Sequence, residues 1–465
     1  MKKTFLLAVG LLAAQTSAWA QTEFSNFSAV GRGGVLNTFA HDYEALGINP
    51  ANLGQSTSIV AFTVLEGGLG ASSQALTKDT FRKFAALSTT EDLTLSERKD
   101  LAKAFTNDNV LNAGADLTTL ALSVYVPKIG GFAFSNRQRV LTHAGFNQNF
   151  AELVFLGQDA SVYDQFKPDE TVYVSQLFAG TEIKASWVNE WSFAFGRELI
   201  SLPAFHVYGG AGYKYLQGLA LYEFSAQSGS VNAYRASSPL LDWNYESYLD
   251  NPNFNYKDMD GMLSPVGKGH GIDVGLSAEV AKVVKLAVSV TDIGQMTWTN
   301  NLLQGEDKGF TLPSDSDRAK EYNFEDAAEA MKTIVDSAIV FSPVSALTTK
   351  LPTRFRAGAG VKVGKVLELG VDYVHALNKA PGNISQDFIG LGLDVMPLPF
   401  FRLSTGVSTG AGDKVNLPIG FAIVTPVYEF GISTRDITAP FSETNPGVST
   451  AMGFLRFRIG KPKVL

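Results

Sequence analysis

The sequence predicts an all-β protein, a transmembrane β-barrel of 14 antiparallel strands with short helices in its extracellular loops. Three observations predict this fold. From about residue 57 onward, apolar residues alternate with small, polar or charged ones, as they do in strands. Turns of about two to five residues alternate with much longer connections, as in outer-membrane barrels with short turns on one rim and long loops on the other. An export signal precedes all of this.

The amino terminus has the three parts of a secretory signal. Lys2 and Lys3 precede an apolar run from Phe5 to Ala14, and Ala18-Trp19-Ala20 offers small residues at both positions that a signal peptidase reads. We expect residues 1–20 to be removed. The apolar run is shorter than the roughly 20 residues that a membrane-spanning helix needs. The predicted location is therefore the bacterial outer membrane.

Composition excludes several functions. The 465 residues carry a formal net charge of -7, which gives no general attraction for nucleic acid. There is no Cys, which excludes disulfides, thiolate zinc sites, iron-sulfur clusters and cysteine nucleophiles. We expect no cofactor. Gly (44) and Phe (32) are abundant while charged residues make up only 18%, a mixture that suits strands and turns.

The alternation is clearest in the hairpin formed by residues 354–363 and 367–374, which only a short turn at Gly364-Lys365 separates. Its non-apolar face is mostly Gly with scattered charge, where a soluble sandwich would carry Lys, Glu and Thr. A soluble all-β protein remains the alternative. The 14 strands are predicted near 57–70, 114–126, 130–142, 182–198, 204–230, 269–281, 285–299, 352–363, 366–377, 388–396, 400–410, 415–424, 427–437 and 448–460.

Residues 21–56 precede the first strand and do not alternate. They contain Asn49-Pro50-Ala51, in which Asn-Pro favours a turn and Pro can open a short helix. Such a segment followed by about 14 strands resembles the FadL family of outer-membrane transporters for hydrophobic compounds, and the string from Gly31 to Gly54 resembles FadL-like proteins of the Bacteroidota. The resemblance implies that residues 21–56 form an N-terminal plug inside a barrel of residues 57–460. Residues 461–465 are then a C-terminal tail, where FadL-type chains usually end in an aromatic residue.

Three long loops carry helical signals. Thr94 and Glu97 form a possible capping box. Two apolar stripes are candidates for binding a ligand, and two readings are open, a capture groove for an apolar compound or loops packed together over the barrel mouth. The candidate residues are Phe146, Phe150 and Leu153 in one stripe and Phe324, Met331 and Val335 in the other.

Charged residues on the predicted lumenal face gather near the short-turn rim. Charge in a narrow lumen must be paired or hydrated, so we expect these groups to bind one another and the plug. A gate whose contacts break when the plug shifts is the functional alternative. The residues are Glu279, Lys362, Glu368, Asp394, Arg402, Glu429, Arg456 and Arg458.

The third predicted strand contains an irregularity in its outward face. Phe132 and Phe134 are apolar, but Asn136 and Gln138 follow at the next outward positions. An unpaired polar group facing lipid costs on the order of 1–3 kcal/mol. We therefore expect a bulge or kink and a local gap in strand pairing. FadL-type barrels have a kinked third strand that opens into the membrane, so the resemblance implies a lateral opening here. The alternative places Asn136 at the outer rim.

Catalytic and metal motifs are weak. The five histidines lack ligand spacing. Gly406-Val407-Ser408-Thr409-Gly410 matches a nucleophile elbow, but no helix is predicted after it. The acidic loop at Asp250, Asp258 and Asp260 lacks the final Glu of a calcium loop. We expect neither an enzyme nor a metal site.

The predicted function is passive uptake of a small hydrophobic compound across the outer membrane, with the plug preventing a leak. The alternative is a non-transporting interaction protein that assists secretion or surface attachment. The expected partners are outer-membrane lipid, the small hydrophobic ligand and the barrel-assembly machinery during insertion, with no nucleic acid.

Overall fold

The computed structural model describes most of the chain after the predicted signal peptide. Nothing below concerns residues 1–25, 74–76, 78, 81–82, 84–92, 107–109, 167–169, 312–337, 365, 381, 385, 411–412, 440, 442, 444–446 or 461–465. The predicted cleavage site and the predicted tail lie outside the described residues.

Fourteen antiparallel strands form a closed barrel, as predicted. Each pairs with its neighbours in sequence, and the last closes on the first from Val60 opposite Ile459 to Ser72 opposite Gly447. The strands are β1 (Val60–Ser73), β2 (Val110–Val126), β3 (Gly130–Gly145), β4 (Glu182–Leu202), β5 (Phe205–Gln227), β6 (Gly267–Val280), β7 (Val284–Trp298), β8 (Leu347–Lys350 and Arg354–Val363), β9 (Leu367–Ala376), β10 (Phe388–Leu398), β11 (Phe401–Gly410), β12 (Asp413–Asn416 and Ile419–Val424), β13 (Tyr428–Thr434) and β14 (Gly447–Ile459).

The barrel is apolar outside and polar inside. On β6, Ile272, Val274 and Leu276 are exposed, while Asp273 between them is buried on the inner face. Large apolar side chains in a water-soluble protein are mostly buried, and carboxylates mostly exposed. The inverted arrangement is that of a barrel whose outer wall contacts lipid. A closed antiparallel barrel with an even number of strands and an apolar outer band is typical of bacterial outer membranes.

Short helices lie in the lumen and in the extracellular loops. The α-helices are α1 (Phe27–Gly31), α2 (Leu95–Ala104), α3 (Gln148–Leu156), α4 (Val162–Gln165) and α5 (Val174–Leu177), and 3-10 turns cover Asp42–Ala45, Pro50–Gln55, Gly157–Asp159, Pro239–Leu241 and Glu246–Tyr248. The predicted capping box of Thr94 and Glu97 is confirmed at the start of α2. Within the described ranges, no helix combines the length and apolarity needed to cross a membrane.

Further strands extend the wall above β5. Ser230–Ser237 folds back on β5, Leu303–Asp307 pairs with it, and Ile339–Pro343 pairs with Leu303–Asp307 in turn. Thr171–Val172 and Phe310–Thr311 form a separate pair. These strands and α2 to α5 surround an apolar cluster on the extracellular side.

Candidate functional site

Residues 26–56, the lumenal segment, lie inside the barrel. Their backbone and side chains contact strands on opposite sides of the wall, including β13 through Phe27, β9 through Leu36 and β6 through Asn49. Almost all of these residues are buried. The segment therefore reaches across the lumen from one side of the wall to the other.

Wall glycines let the lumenal segment approach the strands closely. At each of these positions a methyl group would meet an atom of the segment at 3.1 Å or less, because the segment lies directly on the strand backbone. Twelve glycines on ten strands form this belt: Gly131, Gly196, Gly210, Gly275, Gly358, Gly360, Gly370, Gly390, Gly392, Gly420, Gly431 and Gly453.

The Asn49-Pro50-Ala51 motif is where the segment turns against β4 to β7. The Asn49 side chain caps the turn Pro50–Gln55 by accepting the Ala51 backbone N–H at 3.1 Å. Its Nδ2 lies 3.1 Å from the Asn37 side-chain oxygen and 3.2 Å from both the Leu276 and Val288 carbonyls. Asn49 therefore joins two parts of the segment to two strands, which requires both a donor and an acceptor on one short side chain.

An ion-pair network, here called the segment network, joins the lumenal segment to β1, β10, β11, β13 and β14. Arg456 is at its centre, because its guanidinium contacts Glu44 of the segment, Glu429 at 3.2 Å and Glu66 at 3.4 Å. It also donates to the Tyr43 hydroxyl at 2.7 Å. The members are Arg32, Asp42, Glu44, Glu66, Asp394, Arg402, Glu429, Arg456 and Arg458.

Two further contacts attach the amino-terminal end of the segment. Arg32 pairs with Asp394 at 2.9 Å. The Asp372 carboxylate of β9 accepts the backbone N–H groups of Leu36 and Asn37 at 2.6 and 2.7 Å. These are charge-assisted bonds, which are stronger than neutral ones.

A second group of buried charges, the wall network, lies across β2 to β7. Arg137 pairs with Glu190 at 2.9 Å, and Lys214 pairs with Asp292 at 2.6 Å. These ion pairs join wall residues to one another. The members are Asp116, Arg137, Arg139, Glu190, Lys214, Asp273 and Asp292.

Two members of these networks lie at or next to a residue with left-handed backbone. Leu65 has a φ of 55°, and this left-handed residue turns the following Glu66 inward. Asp292 itself has a φ of 59° at a register shift between β6 and β7. Left-handed backbone is strained for residues other than Gly, Asn and Asp, and such strain collects at functional sites.

A small cavity of about 40 Å³ lies where the two networks meet, with room for a few water molecules. Glu44 and Glu66 of the segment network line it on one side, and Arg137 and Glu190 of the wall network on the other. Its lining also includes the Tyr43, Thr118 and Ser135 side chains. Leu36, Leu46, Ile48 and Ala121 also line it, so its lining is part polar and part apolar.

The predicted lumenal charges fall into two places. Arg402, Glu429, Arg456 and Arg458 come together in the segment network, together with Asp394. Glu368 instead pairs with Lys285 at 3.3 Å and Lys362 at 3.8 Å near the rim, and Glu279 lies opposite Lys285.

Sequence reasoning missed the wall network as well as Glu44, Glu66 and Arg32. Alternation along the strands places four of the wall-network residues on the inward face, among the small residues: Asp116, Glu190, Lys214 and Asp273. This alternation could have revealed most of the wall network. The side chains of Glu66 and Asp292 face inward because the backbone is irregular at these positions, and the alternation of residue types does not show this.

The expectation of a gap in strand pairing at Asn136 and Gln138 is wrong for this conformation. β3 pairs with β4 without interruption from Gly131 to Gly145. The one register shift beside it lies in β2, around Thr119. The irregularity therefore lies in β2, opposite Arg137 and Asn136, and a lateral opening at Asn136 and Gln138 stays a prediction.

A ladder of amides accounts for the polar residues on the outer face of β3. Asn136 and Gln138 both donate to the Asn189 side chain of β4, at 2.6 and 2.7 Å, and Asn189 donates to Gln217 of β5 at 2.7 Å. Trp187 donates to Gln138. Asn189 is only 1% exposed, so the polar groups satisfy one another and no kink is required.

The apolar loop stripe of Phe146, Phe150 and Leu153 packs into the extracellular cluster. The Phe146 and Phe150 rings stack at 4.7 Å, and Phe150 meets the edge of Phe178 at 5.3 Å. Leu153 is buried among α2 and α5. Phe324, Met331 and Val335 lie outside the described residues, so the second stripe stays a prediction.

Glu152 of α3 fastens this loop. It accepts from the Ser161 backbone N–H at 2.7 Å and from Gln148 at 2.6 Å. Burial opposes ionisation, but the hydrogen bonds outweigh it and hold the pKa of Glu152 below its ordinary value.

The described residues hold no group of three or more His, Asp or Glu side chains placed for a metal ion. Ser408 of the Gly-x-Ser-x-Gly motif lies within β11, with its side chain against Gly33 of the lumenal segment. The strand setting differs from the strand-to-helix turn that a nucleophile elbow needs.

The model of a family of unknown function, DUF5723, matches residues 50–431, and the chain belongs to that family. No curated protein matches the sequence.

Among solved structures, the backbone fold of this chain is similar to those of two toluene transporters and a FadL homologue. The Ralstonia pickettii toluene transporter TbuX is 11% identical, with 95% of this chain and 100% of that chain covered and a TM-score of 0.46. A Pseudomonas aeruginosa FadL homologue is 11% identical, with 95% and 97% covered and a TM-score of 0.42. The Pseudomonas putida toluene transporter TodX is 8% identical, with 94% and 97% covered and a TM-score of 0.43. Nothing about what this chain binds follows from these likenesses.

Proposed function

We propose that the protein is an outer-membrane channel for the passive uptake of small hydrophobic compounds, closed by residues 21–56 acting as a plug. The observation that carries the proposal is the lumenal segment. It is held across the lumen by hydrogen bonds and ion pairs, contacts that can break and re-form, while the closed wall of 14 strands provides a path past it once it moves.

The apolar cluster at the extracellular side supports the choice of substrate. The aromatic rings of Phe146, Phe150 and Phe178 all come from the loop between β3 and β4, and they pack together at the level above the lumen. The free energy of an apolar compound falls when it leaves water for such a surface. Capture there would raise its local concentration at the barrel mouth.

Planar-bilayer conductance tests the plug. Deleting residues 26–56 of the mature chain should turn a closed barrel into a leaky pore, because the lumenal segment reaches across the lumen. Deleting part of an extracellular loop, residues 239–263, serves as the control and should leave conductance low. Unchanged conductance after the first deletion would contradict the plug.

Uptake and ligand retention test the substrate. Phe146→Ser with Phe150→Ser should weaken uptake of an apolar probe such as toluene while heat-modifiable migration on gels is kept. Phe441→Ser is the matched control, since Phe441 is 82% exposed on another loop. Loss of folding in the double variant would support loop packing in place of a capture groove.

The second candidate is a non-transporting interaction protein. The loop of residues 239–263 favours it, because Leu240, Trp243, Leu249, Met259 and Met262 are all exposed there, and exposed apolar patches mark interaction sites. Mass spectrometry of the purified protein separates the candidates. A retained small molecule supports uptake, and a co-purifying protein with no small molecule supports interaction.

A further inference from the structure

We infer that the cavity between the two charge networks binds a small monovalent cation through Glu66. The inference rests on the charges and the shape of the lumen and does not depend on transport. Its starting point is the balance of charge around the cavity.

Each network carries one more carboxylate than cations. The segment network has five carboxylates and four guanidinium groups. The wall network has four carboxylates and three cations. An uncompensated charge is costly when it is buried in a medium of low dielectric constant. One positive charge at the place where the networks meet would reduce the cost for both.

Glu66 is the least closely paired of the three carboxylates that line the cavity. Its ion-pair contact is with Arg456 at 3.4 Å, and the Arg456 Nε–H is already donated to Tyr43. The carboxylate also accepts the Phe27 backbone N–H. Its Oε1, however, has no hydrogen-bond partner among the described residues, although Glu66 is 1% exposed and lines the cavity. A buried acceptor without a partner is rare in folded proteins.

Three of the other lining residues suit a hydrated alkali ion, although Leu36, Leu46, Ile48 and Ala121 make part of the lining apolar. The Tyr43, Thr118 and Ser135 hydroxyls are oxygen donors, which hard cations prefer, and the cavity has room for a few waters to complete the shell. A divalent ion fits less well, because the Arg137 guanidinium lines the same cavity and no three carboxylates converge there. Space excludes large organic cations such as choline.

Rubidium tests the site, because it is a potassium analogue that can be located by anomalous scattering. Crystals of the full mature chain in RbCl should show one anomalous peak within coordinating distance of Glu66 Oε1. In solution, the thermal unfolding midpoint should be higher in RbCl than in choline chloride at equal ionic strength, and the increase should saturate. Equal midpoints in the two salts, with no peak in the cavity, would overturn the inference.

Variants locate the effect. Glu66→Gln should abolish the difference between the two salts, whereas the matched variant Glu279→Gln, at the rim and outside the cavity lining, should keep it. If Glu66→Gln does not fold, Thr118→Val removes one oxygen donor and should raise the half-saturating Rb⁺ concentration about tenfold. The opposite result would be a thermal unfolding midpoint that is the same in both salts and that falls with rising pH in the wild type but not in Glu66→Gln. A proton would then occupy the site, and the inference would be wrong.

Discussion

The fraction of molecules in which the lumenal segment is released from the wall should be about 100-fold larger in Asn49→Ala than in the wild type. Asn49 is fully buried, and its side chain links Asn37 of the segment with the backbone of β6 and β7. Alanine keeps the backbone but removes every one of these bonds, as well as the cap of the turn Pro50–Gln55.

The magnitude follows from the bonds. The two Nδ2 hydrogens serve three acceptors, so we count about two net hydrogen bonds of about 1 kcal/mol each. Loss of the cap adds about 1 kcal/mol. The total of about 3 kcal/mol corresponds to roughly two powers of ten in the equilibrium between attached and released segment.

Thiol labelling can measure this equilibrium, because the chain has no native Cys. Thr38→Cys places one thiol on the segment at a buried position, where the Thr38 hydroxyl has no hydrogen-bond partner among the described residues. When release is fast relative to labelling, the rate of maleimide modification is proportional to the released fraction.

Gln55→Ala is the matched control in the same background. Gln55 makes one part-buried bond of 2.9 Å to Ser277, so its loss should cost about 1 kcal/mol and raise labelling by about fivefold. Equal labelling rates for Asn49→Ala and Gln55→Ala, with the barrel still folded, would refute the reasoning that Asn49 holds the segment.

Three further outcomes are expected. Gly431→Ala should loosen the segment by about 1–3 kcal/mol in the labelling assay, because a methyl group would overlap the Phe27 ring, and adding Phe27→Ala should relieve most of that cost. Asn189→Leu should destabilise the barrel by about 1–3 kcal/mol in urea unfolding from vesicles, because it leaves buried amides unpaired, whereas replacing the whole amide ladder by Leu should restore stability. Because the folded pKa of Glu152 is lowered, its stabilising bonds should be complete above the ordinary carboxyl pKa and lost as the pH falls through the lowered value. Exchange of the Ser161 amide, corrected for intrinsic rate, should therefore rise in acid in the wild type, while Glu152→Gln should show no such rise.

The strands could be predicted because alternation is a local property of sequence. In the hairpin of β8 and β9, the apolar residues from Phe355 to Val363 and from Leu367 to Tyr373 face outward, and the Gly and charged residues between them face inward, so the pairing of Gly358 with Asp372 follows from the pattern. The capping box at Thr94 is equally local, since its bonds join residues three apart.

The candidate site was less predictable because it depends on departures from that pattern. Parity places Glu66 on the same face as Val64, but the left-handed backbone at Leu65 reverses the next side chain. Likewise, the polarity of Asn136 predicted a kink, whereas Asn189 and Gln217 on the next two strands supply its partners. The sequence of one strand shows neither a left-handed residue within it nor hydrogen bonds that run from its side chains to those of the neighbouring strands.

The lumenal segment is attached differently around the barrel. Toward β9 to β14 and β1 its bonds are charged, as between Arg32 and Asp394. Toward β6 and β7 most of them are neutral, as from Ser289 to the Ile48 carbonyl at 2.6 Å, although Lys285 of β7 also donates to the Thr38 carbonyl at 3.5 Å.

Toward β3 to β5 the contact is chiefly backbone packing on Gly131, Gly196 and Gly210. Separating the charged side would leave buried groups unpaired, at a cost of several kcal/mol for each pair. Separating the glycine side exposes no such charge. The cavity is lined by Glu44 and Glu66 of the charged side and, on β2 to β4, by residues such as Thr118 and Ser135. It therefore lies between the most strongly and the least strongly attached sides of the segment.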